Sequence, residues 1–161
     1  MNGVTQSRQI SRSRPSAVSV DSIVSALLTV RTHGKGFVDL TADIAKFARE
    51  ANAQEGAVTL FIRHTSASLT IQENADPSVL ADLETALSRL APEDFAWTHD
   101  TEGPDDMPAH VRTMLTSTSL QIPVLDGELA LGTWQAIYLV EHRSHPHARE
   151  VVLQFLGAVT A

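Results

Sequence analysis

The chain of 161 residues fits one compact domain, and its lack of cysteine excludes disulfides, thiolate metal sites and a cysteine nucleophile. Its formal net charge is −7, and leaving out Arg8, Arg12 and Arg14 makes the remainder 9 basic against 19 acidic residues, or −10, which argues against nucleic acid as a partner. The sequence has neither an apolar run of the roughly 20 residues that a membrane span requires nor the apolar core of a secretory signal, so we expect a cytoplasmic protein with no membrane partner.

The N-terminal segment MNGVTQSRQISRSRPSA contains almost no large apolar side chain. Such a segment cannot bury enough surface to offset the entropy of ordering, so we predict a flexible tail over residues 1–17 and a single folded domain over 18–161. Strand-like apolar residues between 18 and 38, interrupted by HGKG at 33–36, then predict a β-hairpin.

Two segments have the apolar spacing of helices that pack along one face. In TADIAKFAREANA, from 41 to 53, Thr41 is the predicted N-cap, and the apolar positions are Ile44, Phe47, Ala48 and Ala51. In the second segment, Asp76 can cap free backbone N–H groups and Pro77 suits the first helical position. The apolar positions of this helix are Val79, Leu83, Ala86, Leu87 and Leu90.

Strand-like segments account for most of the remaining chain. Two strands, 57–63 and 68–72, are predicted on either side of HTSA, between the first two helices. A third helix is predicted to begin near Pro108. It is followed by strands at 119–124, 129–141 and 150–156, with a turn at LDGE. The order β-β-α-β-β-α-α-β-β-β predicts an α+β domain with mostly antiparallel pairing.

His99 and His110 stand near carboxylates and are the first candidates for a metal site. We predict that His99 ends a short strand and that His110 lies in the first turn of the third helix, after Glu102, Asp105 and Asp106. Imidazole and carboxylate ligands suit a zinc-like ion, and three protein ligands would leave one position open. The alternative is that Asp105 and Asp106 cap the helix and favour its positive end.

The segment LGTWQAIYLVEHRSHPHARE, residues 131–150, contains three further histidines. Because side chains alternate along a strand, His142 is expected to extend a face that carries Trp134 and Tyr138, while Glu141 and Arg143 point to the other face. His145 and His147 lie beyond the predicted strand end, and we interpret them as loop residues.

The hydroxyls of HTSAS, at 64–68, invite a comparison with serine hydrolases. No Gly-x-Ser-x-Gly elbow surrounds Ser66 or Ser68, and no acid is placed to orient His64, so a nucleophilic serine is disfavoured. These hydroxyls are better explained as partners of turn backbone or of an anionic substrate.

Three long motifs, HTSASLTIQENADPSVLADLE, HDTEGPDDMPAH and LALGTWQAIYLVEHR, resemble the YjbQ family, whose members are described as secondary thiamine-phosphate synthases. The motifs occur in the family's order, and the resemblance extends from about Val20 to Gly157. It implies a YjbQ-like α+β fold, a two-sheet and mostly antiparallel β-sandwich with flanking helices. It also implies a homotrimer with a polar cleft near the subunit boundaries, in which histidines hold a divalent metal.

The polar motif positions of the family, carried onto this chain, supply the candidate site residues. We expect zinc as the metal, with magnesium as the alternative, and its ligands to be His99, His110 and His142. The implied reaction joins a hydroxymethylpyrimidine pyrophosphate to a thiazole phosphate with loss of pyrophosphate, so a small phosphorylated or anionic molecule is the expected partner. The catalytic candidates are His64, Glu102, Asp105 and Arg143. The substrate-binding candidates are Thr65, Ser66, Asn74, Gln135 and Glu141.

Two other functions fit the same residues. One is a metal-dependent hydrolase that uses the same cleft, and the other is a non-catalytic trimeric protein that binds a metal or a small anion. The sequence contains neither a clear nucleophile nor a phosphate-binding glycine-rich loop, which keeps the non-catalytic alternative open.

Overall fold

The computed structural model describes residues 11–160, so the prediction for residues 1–10 lies outside the described residues. The strands are β1 (Ser22–Arg31), β2 (Gly36–Asp39), β3 (Ala53–Ile62), β4 (Ala67–Glu73), β5 (Ser119–Leu125), β6 (Glu128–Leu129), β7 (Gln135–Glu141) and β8 (Ala148–Val159). The helices are α1 (Thr41–Glu50), α2 (Pro77–Leu90) and α3 (Asp106–Leu115). Within residues 11–160, no helix has the length and apolar character needed to cross a bilayer.

The strands form two antiparallel sheets, which confirms the predicted α+β fold. The larger sheet has the order β1-β8-β3-β5-β6, and the smaller one has the order β2-β7-β4. Side chains from both sheets and from α1 share one hydrophobic core, in which Leu60, Leu139 and Ile44 are fully buried. Aliphatic residues dominate this core, as expected for a chain with 5% aromatic residues.

The predicted hairpin between residues 18 and 38 is wrong. Its two strands exist, but β1 pairs with β8 and β2 pairs with β7, so HGKG carries the chain from one sheet to the other. The predicted strand 129–141 is also wrong as a single element, since it divides into β6 and β7 on different sheets. A turn separates them, and in it Gly132 N–H donates to Gln135 Oε1 (2.7 Å). Local turn signals do not specify which strand becomes the neighbour.

Local helix signals are more reliable. Asp76 is the N-cap of α2 and accepts a hydrogen bond from Ser78 N–H (2.8 Å), and Pro77 is the first helical residue, as predicted. The buried stripe of α1 is confirmed, but its N-cap is Leu40. The Thr41 hydroxyl instead accepts from Ile137 N–H (2.9 Å), which ties α1 to the smaller sheet.

Candidate metal centre

Polar segments from three parts of the chain meet beyond one end of the smaller sheet. Ala67, the first residue of β4, pairs with Glu141, the last residue of β7. The loop that follows β7 contacts the start of α3 through Arg143, and His110 of α3 reaches back to Thr65, just before β4. Antiparallel pairing thus gathers candidate residues that are distant in sequence.

His99, Asp106 and His110 form a cluster whose potential ligand atoms all lie within 4.8 Å of one another. Asp106 Oδ2 is 2.8 Å from His99 Nε2 and 3.6 Å from His110 Nε2. This oxygen is buried and accepts no hydrogen bond of good geometry from the described residues. Two imidazoles and one carboxylate are a ligand set that suits zinc or a similar divalent ion, so these residues could hold one.

The position of the α3 start explains why these groups meet. The helix begins at Asp106, two residues earlier than Pro108, so His110 lies one turn further on the same face. His110 Nδ1 donates to the Thr65 carbonyl (3.0 Å), and in the neutral ring this leaves the Nε2 lone pair facing Asp106. A hydrogen bond of this kind orients a histidine that ligates metal. His99 lies in the loop between α2 and α3, so its predicted strand is wrong.

Arg143 joins the loop after β7 to the start of α3. It pairs with Asp106 through Nη1, its Nε lies 3.3 Å from Asp105 Oδ1, and its Nη2 donates to the Glu102 carbonyl (2.7 Å). Asp105 is the N-cap residue of α3, but its carboxylate accepts from Ser144 N–H (2.6 Å) and makes no capping hydrogen bond. Asp106 lies in the first turn of the helix, where its charge favours the positive end, as the capping alternative predicted. Burial raises the pKa of Asp105, but the Ser144 hydrogen bond and the Arg143 charge outweigh it and hold the pKa below its ordinary value.

His142, the third expected ligand, lies outside this cluster. It is fully buried, its Nε2 is 2.8 Å from Ser68 Oγ, and its Nδ1 has no hydrogen-bond partner among the described residues. Burial, assisted by the charge of Arg112, lowers the pKa of His142 to about 4. The ring is therefore neutral near pH 7, and within one chain it does not meet His99 and His110.

Glu141, the residue before His142, forms a buried ion pair with Arg149. Arg149 donates to both Glu141 carboxylate oxygens, through Nε (2.7 Å) and Nη2 (2.6 Å). Thr32 Oγ1 (2.7 Å) and Arg143 N–H (3.0 Å) donate to the same carboxylate. Burial raises the pKa of Glu141, but these hydrogen bonds and the Arg149 charge bring it below its ordinary value. Glu141 thus holds Arg149 in position within the fold, whereas a direct contact between Glu141 and substrate stays a prediction.

Arg149 is a residue that sequence reasoning missed. It lies on the inward face of β8, the face that also carries the buried Val151 and Leu153. A charged residue in phase with core residues is the signal that could have identified it, because such a charge needs a buried partner.

His64, Thr65 and Ser66 lie in the turn between β3 and β4. His64 Nε2 accepts from Glu150 N–H (2.8 Å), and burial, followed by the charge of Arg149, lowers the pKa of His64. With Phe61, Ile62, Arg63 and Thr118, the three residues line an open cleft of about 570 Å³. Of these predicted residues, Thr65 contacts the metal cluster directly, because its carbonyl accepts from His110.

The other substrate-binding candidates lie elsewhere. Gln135 begins β7 and Glu141 ends it, and a seven-residue extended strand separates them by about 20 Å. Asn74 lies at the Gln135 end, where its N–H donates to the Trp134 carbonyl (3.0 Å). Within one chain, Asn74 and Gln135 therefore lie apart from His99 and His110, and their contact with substrate stays a prediction. Glu102 contributes its backbone carbonyl to Arg143 while the residue is exposed.

A second cleft, of about 410 Å³, opens on the His99 side of the cluster. Phe95 and Trp97 line it with their ring centroids 4.5 Å apart, and His99 forms part of its wall. Glu93 lies at this cleft and forms an ion pair with Lys35. Aromatic walls beside a cluster of possible metal ligands suit a flat ring that carries a charged group.

Comparisons with known proteins agree with this architecture. The family model described as UPF0047 protein YjbQ-like matches residues 26–158. A UPF0047 protein from Synechocystis is 48% identical over 134 residues, which cover 83% of this chain and 91% of that protein. The UPF0047 protein YjbQ of Salmonella typhimurium is 40% identical over 131 residues, which cover 81% of this chain and 95% of that protein.

Solved structures show the same arrangement of sheets and helices. An uncharacterized conserved protein of the YjbQ/UPF0047 family from Clostridium acetobutylicum is 33% identical, with a TM-score of 0.73. The match covers 82% of this chain and 98% of that one. A hypothetical protein from Aeropyrum pernix is 28% identical, with a TM-score of 0.78, and the match covers 84% of this chain and 99% of that one.

Proposed function

Because the chain belongs to the UPF0047 family of YjbQ-like proteins, we propose that it is an enzyme with a divalent metal ion at His99, Asp106 and His110. The observation that carries the proposal is the cluster itself, with its ligand atoms within 4.8 Å and a buried carboxylate oxygen that accepts no hydrogen bond from residues 11–160. The hydrogen bond from His110 to the Thr65 carbonyl supports it, because it directs Nε2 toward the centre of the cluster.

Two imidazole ligands favour zinc, and magnesium, which prefers oxygen ligands, is the alternative. When bound, the ion would supply positive charge for phosphate oxygens of a substrate. Arg143 holds Asp106 and the 99–105 loop in position, since its three nitrogens contact both elements. Its role is thus positioning of the cluster, and a direct contact with substrate is a separate prediction.

The activity that we propose is transfer of the thiamine-phosphate synthase type, which joins a hydroxymethylpyrimidine pyrophosphate to a thiazole phosphate with loss of pyrophosphate. The cleft beside His99 supports this substrate class, because Phe95 and Trp97 can pack against a heteroaromatic ring. The cytoplasm is the proposed location, since phosphorylated small molecules are retained there.

Metal content and product formation test this proposal together. We would measure both in the wild type, in Asp106→Asn and in His110→Ala, with His145→Ala as a control in an exposed loop outside the cluster. The wild type and the control are expected to contain metal and to form thiamine phosphate, whereas the two cluster variants lose both. Metal without product in the wild type would favour the hydrolase or the non-catalytic alternative. No binding after incubation with zinc would refute the metal site.

A homotrimer is the proposed assembly, and the outer face of the larger sheet supports self-association. No helix or strand of residues 11–160 covers this face, on which Ile23 (68% exposed), Leu27 (52%) and Phe61 (50%) are accessible to solvent. Light scattering of Leu27→Glu tests this, with Leu90→Glu on α2 as a control of the same chemistry and similar exposure (65%). We expect only the first variant to dissociate, and an unchanged trimer in both would refute the role of this face.

A further inference from the structure

Among residues 11–160, one guanidinium nitrogen of Arg149 lacks an acceptor. Arg149 is 3% exposed, and its Nε and Nη2 donate to Glu141, with Nη2 also 3.4 Å from the Ser66 carbonyl. Nη1 contacts only His64 Nδ1, at 3.5 Å, among the described residues. A buried guanidinium N–H group without an acceptor is costly, because it has lost its hydration.

The partner atom on His64 is also a donor. His64 Nε2 accepts a hydrogen bond from Glu150 N–H at 2.8 Å, so this nitrogen carries no proton. A neutral imidazole with an unprotonated Nε2 carries its proton on Nδ1. Two N–H donors therefore face each other across 3.5 Å with no acceptor from residues 11–160 between them.

One oxygen atom would satisfy both donors. An acceptor placed about 2.8–2.9 Å from each nitrogen forms a triangle on the 3.5 Å edge, within ordinary hydrogen-bond geometry. His64 lines the open cleft of about 570 Å³ together with the hydroxyl residues Thr65, Ser66 and Thr118. In the described part of the chain, the backbone N–H groups of Thr65 and Ser66 also have no protein acceptor.

We propose that Arg149 Nη1 and His64 Nδ1 form a subsite that binds an oxyanion, a phosphate or carboxylate group of a small molecule in this cleft. Thr65 links the subsite to the metal cluster, because its carbonyl accepts from His110 while its side chain lines the cleft. The inference rests on the proposed function in assigning the oxyanion to the substrate. Glu141 is then a positioning residue, since it holds the other two nitrogens of Arg149.

Titration with inorganic phosphate and, separately, with acetate tests this subsite on the full-length protein. Imidazole ¹H–¹⁵N spectra report on His64 Nδ1, and calorimetry reports the affinity. We expect saturable binding that shifts the His64 resonance, and the tighter of the two anions identifies the oxyanion class. No saturable binding of either anion up to about 10 mM, which covers a Kd of about 1 mM, would overturn the inference.

Variants of His64 separate the subsite from a general attraction of anions. His64→Phe removes the donor and is expected to weaken anion binding about tenfold or more, the effect of losing one hydrogen bond to a charged group. His64→Gln retains both a donor and an acceptor and should restore part of the affinity, while His145→Phe should bind like the wild type. Equal anion affinity of His64→Phe and the wild type would overturn the inference. Anion binding that depends only on the exposed Arg63 would overturn it as well.

Metal content distinguishes this inference from the proposed function. His64 is not in the metal cluster, so His64→Phe is expected to retain the metal of the wild type while it loses anion affinity. Asp106→Asn is expected to behave in the opposite way, with anion binding retained and metal lost. If Asp106→Asn lost anion binding as well while the protein remained folded, the two sites would be one, and a separate oxyanion subsite would be refuted.

Discussion

Breaking the buried ion pair between Glu141 and Arg149 should strongly destabilise the protein. The side chains of Glu141 and Arg149 are 0% and 4% exposed, and the carboxylate accepts hydrogen bonds from Arg149, Thr32 and Arg143 N–H. Glu141→Gln leaves the guanidinium charge buried without a counter-ion. Removing one partner of a buried pair costs about 3–5 kcal/mol, so the free energy of unfolding should fall by that amount.

Urea denaturation followed by tryptophan fluorescence measures this loss at fixed protein concentration. With a slope of about 1–3 kcal/mol per molar urea, the midpoint should shift by more than about 1 M. The matched control is Glu150→Gln, which breaks the exposed pair with Arg63 (side chains 41% and 54% exposed) and should cost at most about 1 kcal/mol.

A double variant, Glu141→Leu with Arg149→Met, checks the reason for the loss. Apolar replacement of both partners of a buried pair is often neutral, so this variant should be more stable than Glu141→Gln alone. If Glu141→Gln cost no more than Glu150→Gln, the uncompensated charge would not be the origin of the effect and the reasoning would be refuted.

Three further predictions concern the metal, pH and backbone packing. Zinc at about 100 times its Kd should stabilise the wild type by about 2.7 kcal/mol and leave Asp106→Asn unchanged in a thermal melt, and equal stabilisation of both would contradict the ligand assignment. The pKa of His142 is about 4, below its ordinary 6.5, so its contribution to stability is complete above pH 6.5 and is lost as pH falls toward 4. The free energy of unfolding should decrease by about 1.4 kcal/mol per pH unit in that window, and His142→Gln should flatten the slope. Gly157→Ala should prevent stable folding, judged by its circular dichroism, since a Cβ there would collide with the Glu55 carbonyl and lie 2.8 Å from Gly56 Cα.

Features that depend on neighbours in sequence were predictable. The start of α2 at Asp76 and Pro77 and the stripe of α1 are confirmed, because capping and helical spacing act within four residues. The turn at LDGE is confirmed as well, since Asp126 and Gly127 both have positive φ in the two-residue loop between β5 and β6. The family predicted from three motifs is also confirmed by the match over 26–158.

The candidate site was predictable in its residue types but not in its grouping. His99 and His110 were selected because they stand near carboxylates, and the fold brings both to Asp106. His142 was selected from strand alternation, which places a side chain on a face but does not show whether that face is covered. Here the face is buried, and His142 meets Ser68 in the interior.

By itself, the sequence determined the composition of the core, the helix boundaries set by caps, the chemical types available for a site and the family. Only the tertiary structure decided which strands are neighbours and which polar groups share a site. The pairing of β1 with β8 and of β2 with β7 joins residues at least 99 positions apart, so no local pattern specifies it. The facing donors of Arg149 and His64 depend on the pairing of β3 with β8, because short-range hydrophobic and turn preferences are satisfied equally by several strand arrangements. The cluster of His99, Asp106 and His110 depends on how the loop before α3 folds against the start of that helix.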